Sequence, residues 1–206
     1  MAHSTLDYYN QNALKTAQRY ESADVTKLHD FLLSGLKPGG KILELGCGSG
    51  RDAAFMVSRG FRVLATDGSA SMVEQAKRHH PELAGHVVHL KLPDGLSSGS
   101  ERYDGIYAVA VLMHLSLPNI EKTIVAVSSL LAPKGKFIFS VPAQRDDVMT
   151  NELDPKGRRF TALSPDGWTD ICLKCNLQIV RTMMSGDGMG RDGIAWMNFL
   201  TENLKA

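Results

Sequence analysis

Short apolar runs alternate with helical patterns along most of this chain, and that alternation limits the fold more than any other feature. It argues for a mainly parallel sheet with helices on both faces. KILEL (41–45) reads as the first strand, followed by a helix from about Arg51 to Arg59 that Gly60 stops. FRVLATD (61–67) is the second strand and ASMVEQAKRHH (70–80) its helix, stopped by Pro81. HVVHL (86–90) and YDGIYAVAV (103–111) follow as the third and fourth strands, joined by the Gly- and Ser-rich KLPDGLSSGSER. LPNIEKTIVAVSSLLAPKG (117–135) is a helix with a Pro–Lys–Gly exit into the strand KFIFSVP (136–142). Ser164–Pro165 starts another helix, which feeds NLQIVRTMM (176–184). After the glycine-rich turn SGDGMGRDG, GIAWMNFLTEN (193–203) has no room for a helix before it, so it pairs back antiparallel as a seventh strand. Two helices, YNQNALKTAQRYES (9–22) and DVTKLHDFLLSGL (24–36), precede this array. The polar stretch 143–164 is too long for an ordinary connection, and loops of that length often cover binding sites.

Composition narrows the class. A length of 206 residues suits one domain, 1–206, and 43% hydrophobic residues supply a real core. The formal net charge of +1 gives no general basic surface for gripping phosphate backbones, so nucleic acid is not the expected partner. No apolar run approaches the roughly 18–20 residues that span a bilayer, and the N-terminus shows no apolar signal segment. Three cysteines (Cys47, Cys172, Cys175) make no disulfide framework, which fits a reducing, cytoplasmic setting.

The stretch KILELGCGSGRD (41–52) places three glycines within five residues directly after the first strand. A bare backbone of that kind cradles a ligand. Gly48, Gly50 and Ala53 satisfy the dinucleotide pattern G-x-G-x-x-A. A pyrophosphate on the helix N-terminus would, however, be repelled by Glu44. S-adenosylmethionine has no phosphate and carries a sulfonium and an ammonium, so there an acid beside the loop is useful. Asp67, ending the second strand, can accept both hydroxyls of a ribose with its two oxygens, and it serves either ligand.

ILELGCGSGRD, VLATDGSASMVEQA, YDGIYAVAVLMHL and LLAPKGKFIFSVP resemble, in order and spacing, the successive motifs of class I S-adenosylmethionine-dependent methyltransferases. The resemblance runs from about Tyr8 to the C-terminus and is strongest over 41–142. It implies an α/β, Rossmann-like, seven-stranded, mostly parallel sheet with an antiparallel last strand. It also implies that Gly46, Cys47, Gly48 and Gly50 line the methionine portion of the cofactor, with Glu44 oriented towards it. Asp67 would hold the ribose, Gly68 and Ser69 would follow it, and Met72 would lie against the adenine. Ala108 and Val109 would offer carbonyls near the amino-acid end. The family's frequent acid after the third strand is replaced here by Lys91–Leu92, so adenine recognition would rest on backbone groups around Leu92. Residues 1–36 would form a helical lid and 143–164 a loop on the substrate side.

Other residues carry two readings each. Cys172 and Cys175 form C-x-x-C, but with Trp168 and Ile171 they make an apolar helical stripe, and a zinc site lacks a second pair of ligands. His79, His80, His86 and His89 diverge at helix and strand spacing, so no metal is expected. His114 follows the fourth strand on the ligand-binding edge. It is either a general base or substrate contact, or a helix-start residue packed under the loop. Tyr8, Tyr9, Arg19 and Tyr20 could close over the cofactor or simply pack on the sheet. Arg158, Arg159 and Arg191 could grip an anionic substrate or stay solvated.

The chemistry expected is in-line displacement at the methyl carbon, in which proximity and alignment do most of the work. No NPPY-like tetrad and no added recognition domain is present, which favours a small-molecule acceptor. The competing readings are an NAD-dependent oxidoreductase and a non-catalytic cofactor-binding protein with this fold.

Overall fold

The computed structural model describes residues 4–96, 100–148 and 151–205. In chain order the elements are α1 (Thr5–Gln11), α2 (Ala13–Glu21), α3 (Thr26–Gly35), β1 (Lys41–Leu45), α4 (Arg51–Ser58), β2 (Arg62–Asp67), α5 (Ala70–His79), β3 (Val87–His89) and β4 (Tyr103–Val109). They continue with α6 (Leu117–Leu130), β5 (Leu131–Arg145), α7 (Pro165–Lys174), β6 (Leu177–Gly186) and β7 (Ile194–Asn203). The strands form one sheet in the order β3-β2-β1-β4-β5-β7-β6. Strands β1 to β5 pair in parallel, and β7 runs antiparallel to both β5 and β6. The expected seven-stranded topology is therefore observed.

Strand β1 is central and covered on both faces, which is why Ile42, Leu43, Glu44 and Leu45 are all buried with no alternation. On one side α6 and α7 bury Ile120, Ile124, Trp168 and Cys172 against β4 and β5. The rings of Phe139 and Phe199 stack there at 4.7 Å, with Trp168 tilted 5.4 Å from Phe139. Cys172 and Cys175 belong to this core, as their helical spacing indicates. On the other side α3, α4 and α5 pack Phe31, Leu32, Met56 and Val73 over Ile42 and Ile138.

The chain passes from β1 to β2 on one side of the sheet and returns with β4 on the other. This makes a switch point, where open α/β sheets hold ligands at their carboxyl edge. Both the glycine loop after β1 and the segment after β4 leave that edge.

Three sequence expectations are corrected. The first leading helix is two, because the chain breaks at Asn12, whose side chain donates to the Tyr8 carbonyl over 2.9 Å and whose ψ of 18° leaves the helical range. The fifth strand runs longer at both ends: it begins at Leu131 and continues to Arg145 because β7 pairs with it as far as Ile194. The Pro–Lys–Gly exit thus lies within that strand's span, as a register irregularity against β4. The connection expected at 143–164 starts correspondingly late, at Asp146. It is held by a bridge between Leu153 and Arg159 and by Thr161 N–H donating to the Met113 carbonyl at 2.8 Å. Met149 and Thr150, in the middle of that stretch, lie outside the described residues, as do Ser97, Ser98 and Gly99 of the Gly- and Ser-rich connection.

Candidate active site

A cavity of about 490 Å³ opens at the switch point, a size suited to a small ligand. Its floor is the glycine loop. Cys47 N–H donates to the Thr66 carbonyl at 2.8 Å, and Thr66 Oγ1 donates to the Glu44 carbonyl at 2.8 Å, so the turn is pinned to β2. Gly46 and Gly48 have φ of +72° and +57°. A Cβ at Gly46 would lie 2.3 Å from Val111 Cγ2, and one at Gly48 3.2 Å from the Tyr20 ring. Both the left-handed backbone and the lack of space demand glycine there.

Asp67 closes the floor. Its Oδ2 accepts from Gly48 N–H at 2.9 Å and its Oδ1 from Ser69 N–H at 2.8 Å. Burial pushes its carboxyl up to about 6, only partly opposed by those two amides. Each oxygen keeps a further lone pair for a ligand hydroxyl. Ser69 caps α5 by accepting from Met72 N–H at 3.2 Å, which sets Met72 against the cavity.

Beneath the loop lies a compact ionic cluster. Asp52, in the first turn of α4, accepts from Arg51 through Nε and Nη2 at 2.9 and 3.0 Å and pairs with His29 Nε2 at 2.9 Å. Burial alone would raise Asp52, but these partners hold it at about 2. Arg51 Nη1 also donates to the Tyr20 carbonyl at 2.7 Å, tying α2 to the loop. Glu44 is 2% exposed, and its Oε2 has no hydrogen-bond partner among the described residues. Burial and the neighbouring Asp52 charge drive its carboxyl well above the usual range.

The opposite end of the cavity is built by α1, the segment after β4, the loop before α7 and the β6–β7 turn. His114 Nδ1 lies 2.7 Å from the Arg159 carbonyl and must donate to it, because a carbonyl only accepts. Burial lowers this histidine to about 4, so the ring is neutral and its Nε2 accepts from the Tyr9 hydroxyl at 3.0 Å. Tyr9 in turn accepts from the Tyr20 hydroxyl and from Arg158 Nη1, both at 3.3 Å. Arg158 is fixed by Asp154, with Nε 2.9 Å and Nη2 2.5 Å from Oδ2.

A family model describing a methyltransferase domain matches residues 17–182. The chain belongs to the methyltransferase-domain family. Its four motif segments resemble the class I, S-adenosylmethionine-dependent members, and the fold agrees. Among curated relatives, it is 31% identical over 136 residues to the ubiquinone biosynthesis O-methyltransferase of Alkalilimnicola ehrlichii, covering 65% of this chain and 50% of that one. It is 25% identical over 145 residues to the protein-L-isoaspartate O-methyltransferase of Chromobacterium violaceum, covering 68% and 60%. The match thus spans about half of the first relative's length. Among solved structures, a Burkholderia thailandensis 1,6-didemethyltoxoflavin-N1-methyltransferase, with its acceptor and S-adenosylhomocysteine bound, superposes with a TM-score of 0.72 at 16% identity, covering 96% of this chain and 88% of that one. The CcbJ methyltransferase of Streptomyces caelestis gives a TM-score of 0.74 at 17% identity, covering 98% and 99%.

In this methyltransferase-domain chain, most of the residues singled out from sequence meet at the cavity. Gly46, Cys47, Gly48, Asp67, Gly68, Met72, Leu92 and Val109 line one end, Tyr9, His114 and Arg158 line the other, and Arg19 lines the cavity too. Six do not line it, and of these Arg159 is paired with Glu152. Gly50 is the N-cap of α4 at φ +86°, packed against Ala76 and Leu83. Ser69 and Ala108 are fully buried, and Glu44 sits below the loop. Tyr8 faces Arg158 and Lys156, whose cationic ends lie 5.0 and 5.8 Å from its ring centre. Arg158, for which solvation was one expectation, is buried in an ion pair.

A further wall is the β6–β7 turn, from which sequence reading singled out only Arg191. Gly186, Asp187, Gly188, Met189 and Arg191 line the cavity, and the Gly188 carbonyl accepts from Asp24 N–H at 2.9 Å. The unusual length of that turn, with an arginine in it, was the available signal. Its direction depended on how far β6 and β7 extend.

Proposed function

We propose that this protein transfers the methyl group of S-adenosylmethionine to a small-molecule acceptor by in-line displacement. The observation that carries the reading is the pairing of Asp67 with the glycine loop. A carboxylate held by the Gly48 and Ser69 amides faces the cavity where a ribose would sit. In the methyltransferase complex from Burkholderia thailandensis, S-adenosylhomocysteine occupies a protein of the same fold, which supports the cofactor assignment. A nicotinamide dinucleotide fits less well, because its pyrophosphate would meet the ionised Asp52 carboxylate in the first turn of α4, which lines the cavity.

When bound, the cofactor supplies an electrophilic methyl on a sulfonium, and its leaving thioether is neutral. The chain's own residues then bind and align. Asp67 takes the ribose hydroxyls, and Met72 and Leu92 pack the adenine. Arg19, which lines the cavity and whose buried Nε has no partner among the described residues, takes the methionine carboxylate. Of the lid expected at 1–36, α1 and α2 cover the cavity, α3 packs on the sheet, and residues 1–3 lie outside the described residues. His114 serves as a positioning group: with Nδ1–H committed to Arg159 and an affinity for protons lowered to about 4, it is a weak base at neutral pH. It holds the Tyr9 hydroxyl in place. The acceptor end, with Arg145, Phe160 and Trp196, is enclosed enough for a small molecule.

Calorimetric titration with S-adenosylhomocysteine and with NAD tests the cofactor; binding of NAD alone would sink the reading. Methyl transfer from labelled cofactor across a metabolite panel tests turnover, and its absence on every acceptor would favour a non-catalytic binding role.

A further inference from the structure

Three arginines from three separate segments converge on the acceptor end: Arg145 at the end of β5, Arg158 in the loop before α7, and Arg191 in the β6–β7 turn. Each is clamped by an aspartate of its own segment, and always on the same edge. Asp147 takes Nε and Nη2 of Arg145, both at 2.6 Å. Asp187 takes the same two nitrogens of Arg191, at 2.9 and 2.6 Å, and Asp154 those of Arg158. The clamps fix the planes of the guanidinium groups and leave Nη1 free of carboxylate. Arg158 Nη1 is used by Tyr9. Among the described residues, Nη1 of Arg145 and of Arg191 has no partner.

Charge counting then points one way. The side chains of Arg145 and Arg158 are 7% and 6% exposed, and that of Arg191 32%. Their partners Asp154 and Asp187 are 1% and 2% exposed, but Asp147 is 43% exposed and largely screened by water. The three guanidinium groups are matched by three carboxylates, but the one that holds Arg145 is the one most screened by water, so Arg145 is the least compensated of the three. Arg145 and Arg158 also face the same Phe160 ring, with their carbons 4.1 and 5.2 Å from its centre. Each has its own aspartate on one edge, and a further negative group on the open edges would ease the remaining repulsion between the two cations.

We propose that the methyl acceptor carries a carboxylate, seated on the open Nη1 edges of Arg145 and Arg191, with its body against Phe160 and Trp196. Arginines that already carry an aspartate each suit a monoanion better than a phosphate dianion. Planar guanidinium groups with prealigned N–H donors suit carboxylate geometry. This assignment rests on the methyl-transfer reading above, and it concerns only the acceptor end.

The test uses the full chain saturated with S-adenosylhomocysteine and titrated calorimetrically with benzoate, its neutral counterpart benzamide, and phenyl phosphate. Benzoate is expected to bind, benzamide to bind at least about tenfold more weakly, and Arg145→Gln to weaken benzoate at least about tenfold while S-adenosylhomocysteine affinity stays within a few fold. Should Arg145→Gln lose S-adenosylhomocysteine binding through misfolding, Arg191→Gln, at a more exposed position, carries the same expectation for benzoate. Benzoate failing to bind, benzamide binding equally, phenyl phosphate binding more tightly than benzoate, or both variants retaining benzoate affinity would each overturn the proposal. Failure of the unaltered protein to bind S-adenosylhomocysteine at all would instead remove the methyl-transfer reading itself.

Discussion

Tyr9 donates its hydroxyl proton to His114 Nε2 across 3.0 Å, joining α1 to the segment that follows β4. The two residues are 105 positions apart in sequence. The bond exists only while the ring is neutral, and burial holds its titration down to about 4, against an ordinary 6.5. Between those values the unfolded chain binds a proton that the folded chain does not. The contribution of His114 to stability is therefore complete above about pH 6.5 and is lost as pH falls towards 4. His114→Gln can keep both hydrogen bonds without titrating, so its urea-unfolding stability should decline less over that window than the parent's. Parallel declines would show that His114 is not the responsible group. Asp67 acts in the opposite sense between 3.8 and about 6, so the comparison must be of variant against parent.

Asp67→Ala should weaken S-adenosylhomocysteine by an order of magnitude or more. Two charge-assisted hydrogen bonds to the ribose are lost, at ~1.5–3 kcal/mol each. Calorimetry on a variant with unchanged circular dichroism checks this, and unchanged affinity would remove Asp67 from the ribose site.

The same carboxyl predicts a pH dependence. Ribose hydroxyls donate, so they need the ionised form, which predominates only above about pH 6. Affinity for S-adenosylhomocysteine should be level from pH 7 to 8 and fall by up to about tenfold per unit below 6. A profile flat down to pH 5 in the folded protein would contradict it.

Gly188→Ala should loosen the lid without touching the glycine loop. A Cβ there would stand 2.2 Å from the Asp24 carbonyl oxygen, so the turn must withdraw from the α2–α3 junction. Hydrogen exchange at Asp24 N–H, which donates to the Gly188 carbonyl, should become faster than in the parent. Unaltered protection would mean that the turn is not held at this point.

Gly48→Val should abolish cofactor binding while Gly60→Val does not. Both glycines have positive φ, but a Cβ at Gly60 would meet nothing within 4 Å, whereas one at Gly48 meets the Tyr20 ring at 3.2 Å. Comparable losses in the two variants, measured with S-adenosylhomocysteine, would show that backbone strain and not crowding at the cavity decides the outcome.

Sequence alone determined the sheet, because apolar runs such as KILEL and KFIFSVP are compatible only with strands covered on both faces, and no helix fits between β6 and β7. It also made the glycine turn legible, since glycine at 46 and 48 and an acid ending the next strand are local requirements of one turn. It could not reveal that Glu44 lies beneath that turn, because the acid's side of β1 is set by which helices pack over it. It left Arg158 and Arg191 as either solvated charges or grips for an anion, and could not reveal that they meet Arg145, since each is paired locally with an aspartate. Their convergence depends on β5 running on to Arg145 alongside β7, which carries the β6–β7 turn back over the sheet edge. Such long-range pairing is decided by packing between distant segments, and only the tertiary structure expresses it.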